Sequence, residues 1–321
     1  MLAALRFVRG AVSTKEMIPV LTAFHIYDGR IQGMNGRLTI DCPCPELAGM
    51  DITIHAETFL KAVDGCDGEP KLEIISEGKL KISRGGFKVV LPLLPHDSFP
   101  KQAQDGVEGV KIATGLLPSL RVLQPFMGED ASRPWACGML FRNGMAYATN
   151  NSTLVGVEAY RFETDLNLPF YLIDELLRIG EEPGSAHSTG DSISFSFKSG
   201  AWIKSQLMAL EWPGAVESML QFDAVQDVIP SGLARAVEKL VPFCPDKKVP
   251  IIKFTPEGIQ TMDGDKSACI TEFSLPGGSF RAEPLITMLN AASHAQFAEY
   301  PARIPFSGPA GLRGIMMGVK I

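Results

Sequence analysis

Five histidines could bind a metal or move protons, but His25, His55, His96, His187 and His294 are isolated. None falls at the His-x-His or His-x-x-x-His spacing that brings two imidazoles to one ion. Asp263-Gly264-Asp265 opens like a calcium loop, yet Ser274 stands where the loop's twelfth-position glutamate would be. A polar turn between strands accounts for it. Cys42-Pro43-Cys44 could form a redox or metal pair, and a thiol or metal enzyme built on it is a rival reading. No second pair lies near it in sequence, and no glycine-rich phosphate loop of either common type is present. No active site, metal or cofactor is expected.

Basic residues carry more information. Successive apolar residues at Leu116, Leu120, Leu123 and Met127 form one stripe of a helix. Arg121 points away from that stripe, and Arg6 holds the same slot on an equivalent stripe at Met1, Leu5, Val8 and Val12. Arg9, Arg235 and Lys239 also fall off the stripe, while Lys15, Arg133, Lys247 and Lys248 sit in the loops that follow the helices. Solvated helix faces carry such charges routinely. Repetition is what sets these apart, because basic residues at equivalent points of successive units make a quasi-symmetric positive surface.

The elements that position them recur three times. The helical stripe returns as Leu233, Val237, Leu240 and Cys244, and Pro19 and Pro134 are matched by Pro250. A second helix repeats as Phe59, Leu60 and Val63, then Leu172, Ile173 and Leu176, then Leu285, Ile286 and Leu289. Asp28-Gly29 and Asn143-Gly144 are tight hairpin turns between apolar runs. Each step is close to a third of the chain, too long for a solenoid unit and right for a domain. The reading is an α+β chain of three repeated domains, 1–104, 105–218 and 219–321, each with two helices packed on β-sheets.

Within this plan strands are expected at Val20 to Tyr27, from Trp135 through Phe141, at Met145 to Ala148 and from Leu154 to Ala159. Helices are expected over Met1 to Val12, Glu57 to Val63, Leu116 to Met127, Phe170 to Ile179, Ser231 to Phe243 and Pro284 to Asn290. A final strand is expected in Leu312 to Ile321, and Pro-punctuated linkers run from Pro92 to Gly109 and from Trp212-Pro213 towards Asp227.

With 45% hydrophobic residues in 321 and no apolar run near the length of a membrane span, the chain reads as soluble. Met1 to Gly10 reads as the first helix and not a targeting peptide. The scattered cysteines fit a reducing, cytoplasmic setting, with no membrane partner. A net charge of −6 argues against a broadly basic nucleic-acid-binding surface: either nucleic acid is not the partner, or the basic residues gather on one face of an otherwise acidic body.

The triplicated domain, the Gly138-Met139-Leu140-Phe141 strand with Ala148-Thr149 after its hairpin, and the terminal Ile315-Met316-Met317-Gly318-Val319-Lys320-Ile321 resemble the bacterial β-type DNA sliding clamp, the processivity subunit of the replicative polymerase. The resemblance covers essentially the whole chain. Gly318 stands in place of the family's proline, and Asn150-Asn151-Ser152-Thr153-Leu154 in place of an Asp-Gly-His-Arg-Leu turn. The strand that precedes the family's first helix has no counterpart here. These departures point to a distant member, such as a phage protein.

The resemblance implies a head-to-tail homodimer closing a six-domain ring, with helices lining a hole that holds double-stranded DNA without reading its sequence. It implies a tether for DNA polymerase, placed by a clamp loader, with no catalysis. Facing DNA would be Arg6, Arg9, Lys15, Lys61, Arg121, Arg133, Arg178, Arg235, Lys239, Lys247 and Lys248. A partner-peptide groove would be formed by Thr149, Leu154, Met219, Leu220, Ile315, Met317 and Val319. Val89, Phe243 and Cys244 would contribute to the dimer interface. The alternative is a scaffold of the same triplicated fold that forms no ring.

Overall fold

A computed structural model describes residues 1–320 except 16, 77, 96, 97, 107–109, 113, 114, 131, 210, 265 and 266. His96, Asp265 and Ile321 lie outside the described residues.

One element order runs through the chain three times. The first pass holds α1 (Leu2–Val8), β1 (Ala23–Tyr27), β2 (Arg30–Met34), β3 (Leu38–Pro43), β4 (Ile52–His55), α2 (Ala56–Asp64), β5 (Lys71–Ser76), β6 (Lys79–Arg84) and β7 (Phe87–Leu94). After β8 (Val110–Lys111), the second holds α3 (Leu116–Leu123), β9 (Gly138–Arg142), β10 (Met145–Thr149), β11 (Thr153–Glu158), β12 (Leu166–Pro169), α4 (Phe170–Ile179), β13 (Ser185–Ser188), β14 (Ser192–Ser196) and β15 (Trp202–Gln206). A single helical turn, α5 (Val216–Met219), leads to the third. That pass holds α6 (Leu233–Leu240), β16 (Ile251–Thr255), β17 (Gly258–Thr261), β18 (Cys269–Ile270), β19 (Gly278–Arg281), α7 (Ala282–Ala291), β20 (His294–Ala295), β21 (Arg303–Ser307) and β22 (Arg313–Met317).

Proline sets several ends differently from the expectation. The first helices stop at Leu123 and Leu240 and continue only as 3-10 turns, because Pro125 and Pro242 lack the N–H that the next helical bond needs. Val20 and Trp135, expected in strands, lie in the 3-10 turns Pro19–Thr22 and Pro134–Cys137, whose leading prolines preset helical φ. The hairpins follow the expectation. Asp28, Gly29, Asn143 and Gly144 all have positive φ, as a two-residue primed turn requires.

The chain divides into two compact units, Met1–Thr114 with Asp174–Leu207, and Gly115–Ile173 with Met208–Ile321. In the first, one sheet runs β5-β6-β7-β4-β1-β2-β3-β15-β14-β13-β8. Strands of two passes meet where Leu38 to Asp41 pair antiparallel with Ser205 to Trp202. α1 packs on β2, β3 and α2, and α2 on β1, β4 and β7. Leu5, Val8, Phe24, Ile26, Ile40, Ile54 and Phe59 are buried between them, each worth about 1.5–3 kcal/mol relative to exposure. At the β3 to β15 junction the buried Asp41 carboxylate accepts from Arg30 Nε at 2.5 Å and Tyr27 Oη at 2.6 Å.

The second unit has a sheet ordered β12-β9-β10-β11-β22-β21-β20 and a smaller one ordered β18-β17-β16-β19. Here again strands of two passes meet, β11 against β22. α3 packs on β10 and β11, and α7 on β19, β22 and α6. Phe141, Val155, Ile304, Phe306 and Met316 are buried.

Candidate functional site

Strand register builds a groove on one face of the larger sheet of the second unit. Leu140 pairs with Tyr147, Thr149 with Leu154, Leu154 with Ile315, and Arg303 with Met317. Direct antiparallel partners, and residues two apart on a strand, point to the same side, so all seven share a face. Above that face lies the segment through α5. Trp212, Val216 and Leu220 join Leu140, Tyr147 and Ile315 in one buried apolar cluster flanked by Trp135 and Leu154. The Trp135 and Trp212 rings meet edge to face with centroids 5.2 Å apart.

Buried Asn167 donates from its amide to the backbone carbonyls of Trp135 and Ala209, each at 3.1 Å, and so ties the Trp135 turn to the segment that leads to Trp212. Asn143 Nδ2 donates to Glu217 Oε1 at 3.1 Å and pins α5 to the hairpin. Along the rim, Asn150 Oδ1 accepts from the N–H groups of Ser152 and Thr153, and Thr149 Oγ1 donates to Thr153 O at 2.7 Å, so the turn is held by its own side chains. The result is a cavity of about 370 Å³ lined by Trp135, Thr149, Leu154, Pro213, Ile315 and Met317 among others, within the usual size of a small-ligand or peptide pocket. Burial pushes the Tyr147 phenol up to about 12, so it stays neutral.

Of the groove residues expected from sequence, the structure brings Thr149, Leu154, Met219, Ile315 and Met317 to this cavity. Leu220 lies in its floor cluster. Val319 is placed elsewhere: its N–H donates to Ser279 O at 2.7 Å and its carbonyl accepts from Tyr300 Oη at 2.6 Å. The expected alternation down to Val319 fails because β22 ends at Met317 and a Cβ at Gly318 would meet the Tyr300 ring at 2.5 Å. Trp135, Trp212, Pro213, Val216 and Arg303 were missed. The repeated aromatic-proline pair at Phe99-Pro100 and Trp212-Pro213 was the available signal.

All eleven basic residues expected to face DNA are exposed. Their surroundings divide them. Arg6 pairs with Asp64 at 2.7 Å, Arg9 with Glu57 at 3.3 Å and Lys61 with Glu57 at 3.3 Å. Arg178 is tied to buried Glu175 and donates to the carbonyls of Arg6 and Phe7 at the end of α1. Its guanidinium is thus a structural brace, an arrangement sequence spacing did not reveal. Arg133 donates to Asn151 Oδ1 at 2.8 Å on the groove rim. Arg121, Arg235 and Lys239 project from α3 and α6, with Lys247 and Lys248 beyond α6 and Lys15 beyond α1.

No protein-family model and no curated protein matches this chain. Solved structures do. The β subunit of the Streptococcus pyogenes DNA polymerase is 17% identical with a TM-score of 0.85, and the Bacillus subtilis DNA polymerase sliding clamp 16% identical with a TM-score of 0.81, each over 100% of this chain and 97% of the other. A Helicobacter pylori β clamp bound to a DNA ligase peptide is 14% identical with a TM-score of 0.78 over the same shares. This chain has the bacterial DNA sliding-clamp fold.

Within the clamp fold the expected interface residues differ in accessibility. Phe243 is 48% exposed, whereas Cys244 is 4% exposed, its thiol against the carbonyls of Leu240 and Ile251. Cys244 continues the apolar stripe of α6 and so belongs to the core, which removes it as a surface contact. Val89 is half-buried opposite Ile82, between exposed Phe87 and Val90. Among the described residues, β7 from Phe87 to Pro92 is paired only by β6, and β18 only by β17.

The cysteine pair, Cys42 and Cys44, lies at the end of β3. Both thiols are buried, and burial above all pushes Cys42 up to about 11 and Cys44 up to about 12, leaving little thiolate at neutral pH. Among the described residues no group of three or more His, Cys, Asp or Glu is arranged to hold a metal ion, and no helix is long and apolar enough to cross a membrane.

Proposed function

We propose that this chain is a DNA sliding clamp: two copies close head to tail into a ring around duplex DNA and tether the replicative polymerase, without catalysis, in the cytoplasm. The observation that carries the reading is the likeness of fold to sliding clamps over the whole chain. The three passes correspond to domains 1–104, 105–218 and 219–321.

The two strand junctions support closure. β15 of the second pass pairs with β3 of the first, and β22 of the third pairs with β11 of the second. By the same rule, β7 of the first pass should pair with β18 of a third, and that partner is supplied by a second copy. Such a contact is heterologous and closes only when the rotation between copies is right. Exposed Phe87 and Val90 beside Val89 on β7 supply its apolar side chains.

A topological grip needs only weak phosphate contacts. Arg121, Arg235, Lys239, Lys247, Lys248 and Lys15 supply them, with Arg6, Arg9, Lys61 and Arg133 adding charge partly offset by their partners. Polymerase and clamp loader dock short extended peptides in the groove at Leu154, Ile315 and Met317. The test is retention on DNA: the ring should stay on closed circular DNA after loading and slide off when the circle is cut. Equal loss from both, or a solution mass of one chain at 34.8 kDa, would leave a scaffold without a ring.

A further inference from the structure

The two strand junctions share a register and differ in chemistry. The repeat that takes Asn143-Gly144 to Asp28-Gly29 takes Leu140 and Tyr147 to His25 and Gln32, again direct partners, and Leu154 to Thr39. Thr39 pairs with Lys204 as Leu154 pairs with Ile315, and Lys204 pairs in turn with Ser194. Gln32 is opposite Asp41, two residues from Thr39, so all these side chains share one face. That face is apolar at the β11 to β22 junction and polar at the β3 to β15 junction. His25, Gln32, Asp41 and Ser194 are fully buried there, and buried polar groups need partners.

The chain supplies them from its own segment after β7. Phe99, the counterpart of Trp212, stacks on the His25 ring with centroids 5.0 Å apart. Gln32 then turns both ends of its amide to one residue: Nε2 donates to Gln102 O, and Oε1 accepts from the Gln102 N–H, each at 2.9 Å. Gln104 Nε2 donates to Ser196 Oγ. The Asp105 N–H donates to Ser194 Oγ at 3.1 Å, and its carboxylate is held by Ser192, Ser194 and Lys204. Gln102 to Asp105 form neither helix nor strand, and Lys101 and Ala103 are exposed. Backbone groups gripped by a side-chain amide, and a carboxylate gripped by a lysine and two hydroxyls, are the contacts by which a protein holds a peptide.

We propose that the β3 to β15 junction is a second peptide site, polar where the groove is apolar, and that the chain's own Gln102 to Asp105 occupy it as a detachable ligand. The site takes a segment with a glutamine followed by an aspartate. It is shut in cis, because a tethered segment competes at a local concentration on the order of millimolar. A hold that is polar and partly open to water belongs to segments that open locally before the fold does.

The experiment uses the full-length protein and a labelled peptide of residues 100–106. In the unsubstituted protein the N–H groups of Gln102 and Asp105 should exchange hydrogen at least about ten-fold faster than those of Ile40 and Ile203 in the sheet beneath. One common rate would make the segment a fixed part of the fold and overturn the proposal. Gln102→Pro with Gln104→Ala and Asp105→Ala removes the N–H and the two side chains that hold the segment. By fluorescence anisotropy this variant should bind the peptide saturably, and the unsubstituted protein at least about ten-fold more weakly. Asparagine in place of the peptide's aspartate should cost about ten-fold, the size expected of a charged hydrogen bond. Adding Met317→Glu should leave this binding unchanged, since the groove is not involved. No binding by the variant with its unfolding in urea intact, or equal binding of the two peptides, would overturn the proposal. If the triple variant does not fold, Asp105→Asn alone decides: the Gln102 N–H should then exchange about ten-fold faster, and an unchanged rate would overturn the proposal.

Discussion

Leu154 and Ile315 lie directly opposite one another on β11 and β22, so the floor of the groove comes from strands of two different passes of the repeat. The groove therefore exists only once the last strand has docked. A side chain's depth in this junction decides whether its loss affects binding or folding.

Met317 is 47% exposed at the groove, whereas Ile315 is buried beneath it. Met317→Glu should weaken capture of an apolar peptide by about ten-fold or more while changing stability by less than about 0.5 kcal/mol. Ile315→Ala should instead destabilise the protein by about 2–5 kcal/mol. Anisotropy and urea unfolding on the two variants separate the effects.

Charge reversal should act unevenly across the helices. Replacing Arg121, Arg235 and Lys239 by Glu removes cations that make no ion pair with a carboxylate among the described residues. Replacing Arg6, Arg9 and Lys61 removes cations already paired with Asp64 and Glu57. The first triple should cut retention on circular DNA more than the second, and every phosphate left without its cation should lower the salt dependence of binding by about 0.9 in the log–log slope. Equal effects from both triples would show that the surface pairs open freely at the DNA.

Phe87→Asp places a charge on the β7 edge without touching the core, since Phe87 is exposed. Analytical ultracentrifugation should then give the mass of one chain, 34.8 kDa, with unfolding unchanged. A retained dimer would remove β7 from the interface.

The segment that follows β7 is fastened to the first unit through Asp105. Its carboxylate accepts from Ser192 Oγ at 2.6 Å and from Ser194 Oγ at 3.2 Å, and forms an ion pair with Lys204. Burial pushes this carboxyl up, but the bonds from Lys204 and the two serines, with the Lys204 charge, outweigh it and hold it below its ordinary 3.8. A folded-state pKa below the unfolded one contributes stability that is present above the unfolded value and lost as pH falls through the folded value. Asp105→Asn should therefore cost about 1–3 kcal/mol at neutral pH. The difference from the unsubstituted protein should shrink to nothing in acid, as urea unfolding across that range can show.

The threefold repeat, the paired helices and the primed hairpins were legible in the sequence because each is a local pattern. Apolar stripes at helical period, Asp28-Gly29 and Asn143-Gly144 with positive φ, and their recurrence need no knowledge of distant strands. Thr149, Leu154, Ile315 and Met317 were named because the motifs that carry them resemble those of sliding clamps. Tertiary structure alone decided the rest, because it depends on which strand lies beside which. Leu154 meets Ile315 and Arg303 meets Met317 through pairings between remote strands. Arg178 becomes a brace because α1 ends beside it. Val319 leaves the groove because the Tyr300 ring, packed where Gly318 passes, leaves no room for a Cβ and takes the carbonyl that follows.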